Sequence, residues 1–260
     1  MGKPLNQQRR GKGSPSYRRP SHRFKADVNF RGYDAAEREG VVSGTVSDFV
    51  DDPSRTALLM NVKFQTGEQR MLIAPEGVRL GAGLEMGTKA GVAPGNVLPL
   101  SLIPDGTPIY NIESSMGDGG KFVRSAGTTA FVIAHEEKSV TVRMPSKQVK
   151  TFDPRCRAQI GVVCGGGHTE KPMMKAGKMH YKAHARNMTW PHVRGVAMNA
   201  VDHPFGGGQH HPGKSTIVGR GTPPGRKVGH LAARTVGRLT AAKQELKRQQ
   251  RIDRSGRNNR

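Results

Sequence analysis

Cysteine is nearly missing from this chain: Cys156 and Cys164 are its two. That is too few for a disulfide scaffold and fits a reducing cytosol. Aromatic residues make up 5% of the sequence and hydrophobic residues 34%. Such a chain can bury a modest core, but not one spanning all 260 residues. No run of about 18 apolar residues occurs, which excludes a helical membrane span. The opening Met-Gly-Lys-Pro-Leu-Asn-Gln-Gln has no apolar stretch, so it is not read as a secretory signal. In a cytosolic chain the Asn187-Met-Thr189 sequon then carries no meaning.

Acidic residues are scarce where basic ones are dense. Lys and Arg number 42 against 20 Asp and Glu, for a formal charge of +22. Residues 1–25 hold eight basic residues and no acid, and residues 26–153 are close to neutral, with thirteen basic and sixteen acidic. Residues 154–260 hold twenty-one basic and four acidic. A cationic field of this kind argues for a polyanionic partner, though not for a fold. The expectation is a folded body with two cationic arms, which acquire order only on their partner.

Residues 1–36 mix Arg, Lys, Gly, Ser and Pro and read as an N-terminal extension. Strand-like runs follow at 41–50, 57–64, 70–74 and 97–103, separated by turn signals at Asp51-Asp-Pro-Ser54 and Gln65-Thr-Gly-Glu68. A second group lies at 129–134, 140–144, 148–152 and 158–163. Its period-two signal is cleanest at Val140, Val142 and Met144. Two small antiparallel barrels are the expected result. After Gly165-Gly-Gly167 the apolar pattern collapses, and residues 165–230 are too long for a structureless loop inside a compact domain. Residues 231–251 have a weak amphipathic helical pattern with Leu231, Leu239, Ala242 and Leu246 near one face.

Three motifs invite chemistry. Gly208 to Ser215 matches the phosphate-loop pattern G-x-x-x-x-G-K-S, but that mechanism needs a strand before it and a helix after it. Asp202-His-Pro-Phe-Gly-Gly precedes it and Gly219, Gly221, Pro223 and Pro224 follow. Neither element can form there, so a phosphate-loop nucleotidase is set aside. Cys156, Cys164, His168, His180 and His184 lack the close pairing of structural zinc sites, and the cysteines read as small core fillers. Asp202-His203 are adjacent on an extended chain, which points their side chains apart and suits no catalytic dyad. His203 is better read as hydrogen-bonding a phosphate, a ribose hydroxyl or a base edge. The segment Arg194-Gly-Val-Ala-Met-Asn-Ala-Val-Asp-His-Pro-Phe-Gly-Gly-Gly208 stands out. Its glycines allow close backbone approach to a partner. Interleaved aromatics such as Tyr17, Phe24, Tyr181, Trp190 and Phe205 suit stacking on RNA bases.

That segment, with Ala74-Pro-Glu-Gly77, Ala93-Pro-Gly-Asn-Val-Leu-Pro-Leu100, Gly117-Asp-Gly-Gly-Lys121, Cys156-Arg-Ala-Gln-Ile-Gly161 and Pro223-Pro-Gly-Arg-Lys-Val-Gly229, resembles the second large-subunit ribosomal protein family, the L-two family. Ala200 and Phe205 resemble its archaeal or eukaryotic type. The resemblance runs to about residue 237. It implies a mainly β fold, an OB-fold barrel followed by an SH3-like barrel, with a basic N-terminal arm and a Gly-rich basic tail. Expected boundaries are 1–36 for the extension, 37–92 for the OB-fold domain, 93–190 for the SH3-like domain and 191–260 for the tail. It also implies a non-catalytic constituent of the cytoplasmic large ribosomal subunit. Such a protein binds large-subunit rRNA (23S/28S-type) and supports subunit association, tRNA binding and the peptidyl-transferase region.

The expected rRNA-binding residues are Arg9, Arg10, Arg18, Arg19, His22, Arg23, Lys25, Lys121, Arg194, Met198, Asn199, His203, Gly206, Gly207, Gly208, Lys214, Arg226 and Lys227. Arg55, Arg70 and Arg157 join them by motif match. The implied partners are rRNA, neighbouring ribosomal proteins and the small subunit at the intersubunit face. No membrane, small-molecule substrate, metal site or cofactor is expected, apart from Mg2+ associated with the rRNA. The alternative is a free-standing RNA chaperone or RNA-modification accessory protein.

Overall fold

The computed structural model describes residues 2–208 and 216–233. They divide into two compact units, one of residues 19–188 and one in which residues before 19 join those from 189 onward. The larger unit is built on ten strands: β1 (Val41–Val50), β2 (Leu59–Phe64), β3 (Gln69–Ile73), β4 (Gly83–Gly87), β5 (Val97–Pro99), β6 (Pro108–Tyr110), β7 (Ala130–Glu136), β8 (Ser139–Arg143), β9 (Val149–Phe152) and β10 (Arg157–Ile160). Two strands of the smaller unit, β11 (Ile217–Val218) and β12 (His230–Leu231), pair in parallel. The helices are α1 (Asn6–Gly11), α2 (Ala35–Glu39) and α3 (Ala176–Ala185).

Alternation of inward and outward residues makes β1 a barrel wall. Val42, Gly44 and Val46 are buried, and a bulge between Val46 and Asp48 resets the register against β2. Bulges bend and twist a strand, which a small barrel requires. β1 pairs antiparallel with β2 and β4, and β2 with β3, around a core that includes Val62, Leu72, Leu84 and Met86. This is the OB-fold half. The SH3-like half hangs on β10, which lies between β5 and β6, with the β6–β7–β8–β9 meander continuing from it. Its separate core includes Leu98, Ile109, Val132, Val142 and Ile160. A third cluster, with Leu59, Ile73, Tyr110 and Val163, joins the halves, and the Tyr110 hydroxyl donates to the Ile73 carbonyl at 3.1 Å. Each fully buried aliphatic side chain of this kind contributes roughly 1.5–3 kcal/mol.

Tight turns join β7 to β8 and β8 to β9. Two strands escape the sequence pattern. β4 is a five-residue segment opened and closed by glycine, and β6 begins on a proline, so neither shows a long apolar alternation. The 97–103 run is a three-residue strand followed by a 3-10 turn at Leu100–Leu102.

Two further differences concern the arms. Residues 28–36, read as extension, run into the body: Val28, Phe30 and Arg31 are buried, as is Glu37 after them. Asp34 caps α2 by accepting the Glu37 N–H at 3.1 Å. Within 165–230, where no regular element is expected, α3 forms. Ala, Met and Lys favour a helix there without an apolar stripe to announce it. Just past its end lies Asn187, whose φ is 50°, a common C-terminal signal. Leu231 belongs to β12 instead of opening a helix, and the rest of the 231–251 pattern lies outside the described residues.

Candidate nucleic-acid interface

The segment 194–208 folds into a closed loop held by its own backbone. The amides of Asp202 and His203 donate to the Asn199 carbonyl at 3.0 and 3.2 Å, and Gly207 donates to the Met198 carbonyl at 3.1 Å. Lys3 ties the N-terminal arm to this loop twice. Its amide donates to the Val201 carbonyl at 2.8 Å and its ammonium pairs with Asp202 at 3.1 Å. Two glycines are obligatory for contact reasons. A Cβ on Gly195 would strike the His203 imidazole, and one on Gly206 would strike the Asn199 and Met198 carbonyls. Gly207 and Gly208 then carry the chain away at φ of 74° and 94°.

His203 is half-buried and oriented. The Phe205 N–H donates to its Nδ1 at 3.0 Å, and the Phe205 ring stands edge-on at 5.3 Å. With Nδ1 accepting, the neutral ring carries its proton on Nε2. Burial lowers its pKa from the ordinary value, so the ring stays a neutral donor. His203, Arg9, Arg10, Met198 and His192 line one cleft of about 390 Å³ in this unit. Arg9 and Arg10 are exposed on α1, and Arg194, Arg226 and Lys227 are exposed on their loops. Asp202 is the one acid among residues 189–233, and none occurs in 1–18.

Of the expected contacts of the first arm, Arg9, Arg10 and Arg18 belong to the smaller unit, while Arg19, His22, Arg23 and Lys25 are exposed in the body. Arg70 is exposed on β3, and Lys121 is exposed while paired with Asp118 at 3.1 Å. Arg55 is part-buried against Asp52 at 3.3 Å. Lys214 lies outside the described residues.

Arg157 is a correction. It is 1% exposed on β10, all four of whose residues are buried. Its Nε and Nη2 donate to Glu113 Oε1 at 3.2 and 2.9 Å, and its Nη1 donates to Glu37 Oε2 at 2.7 Å and to the Arg31 carbonyl at 3.0 Å. Burial pushes the Glu37 carboxyl up, an effect that Arg157 and Arg31 partly offset. A guanidinium with its forks filled inside the protein cannot meet a phosphate. The motif match identified a structural arginine.

Sequence reasoning missed Arg124 and α3. Arg124 donates to the Gly120 and Val28 carbonyls, both at 2.7 Å, and its buried Nε has no protein partner. Burial first, then the charge of Arg55, lowers its pKa. Two guanidiniums thus stand near each other, with Asp52 against Arg55 and the Asp118 charge partly supporting Arg124. Arg186 fixes α3 beside them by donating to the Pro53 and Arg55 carbonyls at 3.2 and 2.8 Å. α3 exposes Lys178, Lys182 and Tyr181. Arg124 sits in a turn with no local pattern, so its only signal was proximity to Arg55 in three dimensions.

Cys156 is buried, with its thiol pushed up to about 11 by desolvation, and Cys164 is half-buried. Among the described residues, no group of three His, Cys, Asp or Glu could hold a metal ion, and no helix is long and apolar enough to cross a membrane.

Residues 3–86 match the family profile for Ribosomal Proteins L2, RNA binding N-terminal domain, and residues 93–229 match Ribosomal Proteins L2, C-terminal domain. The chain is similar to the Large ribosomal subunit protein uL2 of Methanopyrus kandleri, with 54% identity over 239 residues, 92% of this chain and 98% of that protein. It is equally similar to the protein of that name from Methanothermobacter thermautotrophicus, with 54% identity over 92% of this chain and 99% of that one. The Haloarcula marismortui protein is 52% identical over 92% of this chain and 98% of its own length.

Proposed function

The chain belongs to the ribosomal protein L2 family and is a structural constituent of the large ribosomal subunit, and from that premise we propose how its two units act on rRNA. The body binds by its barrels, with Arg55, Arg70 and Arg124 meeting backbone phosphates. The unit holding α1 and the 194–208 loop enters more crowded RNA, where Arg9, Arg10, Arg194, Arg226 and Lys227 neutralise phosphates. Lysine and arginine release counterions from folded RNA, which gives strong, salt-sensitive binding with little base reading. The observation that carries this reading is the fate of the acids. Residues 1–25 hold eight basic residues and no acid, and Asp202, the one acid among residues 189–233, is paired with Lys3, so the excess charge of these segments is cationic.

His203 serves here as a positioned neutral donor, not as a catalyst. No partner acid orients it, since Asp202 is engaged by Lys3 and the His203 Nδ1 is filled by Phe205. A role in supporting subunit association, tRNA binding and the peptidyl-transferase region follows from holding RNA in shape. rRNA, neighbouring ribosomal proteins and the small subunit are the partners of this reading; its only cations are those that accompany rRNA. The test is sedimentation of the tagged chain from lysate in moderate magnesium. It should travel with large-subunit particles, and a predominant free pool would contradict the proposal.

A further inference from the structure

We propose that the cleft between α1 and the 189–203 segment holds a single unpaired rRNA nucleotide, with its base inside and its phosphate at the mouth. This rests on the ribosomal reading above and adds a discrete base site to a surface otherwise expected to meet phosphates. The cleft measures about 390 Å³, within the range of roughly 300–1,000 Å³ typical of small-ligand sites. That admits one nucleotide and excludes a paired helix.

The lining divides by chemistry as an extruded nucleotide does. Pro191, Val193 and Met198 offer apolar surface to the faces of a base. His203 offers one fixed donor, because the Phe205 N–H occupies Nδ1 and leaves the proton on Nε2. Arg9 and Arg10 line the same cleft and suit the attached phosphate. Asp202 also borders it, but its charge is met by Lys3 at 3.1 Å, so it does not repel an anion. Unpaired bases that splay out and hydrogen-bond on their edges are the common basis of RNA sequence reading. We place the His203 donor against the base-edge position where guanine presents O6 and uracil O4. Adenine and cytosine carry an amino group at that position, so guanine or uracil fits there.

Val193→Trp tests this by filling the cleft from a wall residue that is 52% exposed and outside the core. Large subunits carrying it are probed beside wild-type subunits with kethoxal for guanine and a carbodiimide for uracil. The expected result is one unpaired guanine or uracil, protected in the wild type and severalfold more reactive in the variant. A double Arg9→Gln, Arg10→Gln chain should expose the same nucleotide in part. An unchanged pattern in subunits that contain the variant stoichiometrically would overturn the base site while leaving the ribosomal role intact. Absence of the wild-type chain from the subunits would instead sink the underlying reading. Equilibrium dialysis of the full chain against GMP and UMP separates the sources, and tight saturable binding of either free nucleotide would overturn the assignment to rRNA.

Discussion

Arg157 and Glu113 clasp each other in the interior, Nε and Nη2 both donating to Oε1, with the two side chains 1% and 0% exposed. The Arg157 N–H also donates to Glu113 Oε2 at 2.9 Å, and Glu37 closes the other side of the guanidinium at 2.7 Å. Through this cluster the segment around Arg31 is joined to the SH3-like half. Arg157→Gln should therefore cost about 3–5 kcal/mol of stability by leaving buried carboxylates unpaired. Urea unfolding of the full chain checks it. Arg70→Gln, at an exposed position, should fall within about 0.5 kcal/mol of wild type. Equal midpoints for Arg157→Gln and wild type would contradict the structural role.

Arg55 and Arg124 should reveal themselves through salt. Each phosphate contact contributes a slope of about 0.7–0.9 in log affinity against log salt. Arg124→Gln and Arg55→Gln should each flatten the slope for large-subunit rRNA by about one. Filter binding across a salt series measures this, and an unchanged slope with folded variants would remove these residues from the interface.

His203 should titrate below the ordinary histidine value of about 6.5, because burial disfavours the imidazolium. The unfolded chain then binds the proton more readily than the folded loop. The contribution to stability is full above that ordinary value and is lost as pH falls below it toward the lowered folded value. NMR of the ring protons in the full chain should show the low midpoint, with the Phe205 amide shifting in step. A midpoint above the ordinary value would contradict the buried, Phe205-bonded ring.

Gly195→Ala should displace the His203 ring, since the added methyl meets the imidazole directly. Overpacking of this kind costs about 1–3 kcal/mol locally. Gly221→Ala is the control, since a Cβ there meets nothing within 4 Å. Cells with Gly195→Ala as the sole copy should accumulate fewer complete large subunits, and those with Gly221→Ala a normal number. Normal assembly for both would show that the 194–208 loop tolerates a displaced His203.

The barrels were largely legible because alternation at Val42–Val46 and Val140–Met144 is a local signal tied to one buried face. β4 and β6 were not, since their short segments are buried through partners distant in sequence. The site divides the same way. Arg9, Arg10, Arg194 and His203 announced themselves through charge density and glycine spacing. Arg157 misled because a motif match records residue identity and not whether two glutamates wait for it in the fold. Arg124 was silent because its meaning depends on Arg55, sixty-nine residues away in the chain but close in space. α3 was silent for a related reason: it carries cations outward and buries Ala183, leaving no apolar stripe to read.

The most direct test is the rate of peptidyl transfer by purified large subunits that have incorporated His203→Ala. If the protein shapes RNA and does no chemistry, those particles should assemble less efficiently yet retain peptide-bond formation near the wild-type rate. Fully assembled particles that form no peptide bonds would contradict the account and make His203 a participant in the reaction.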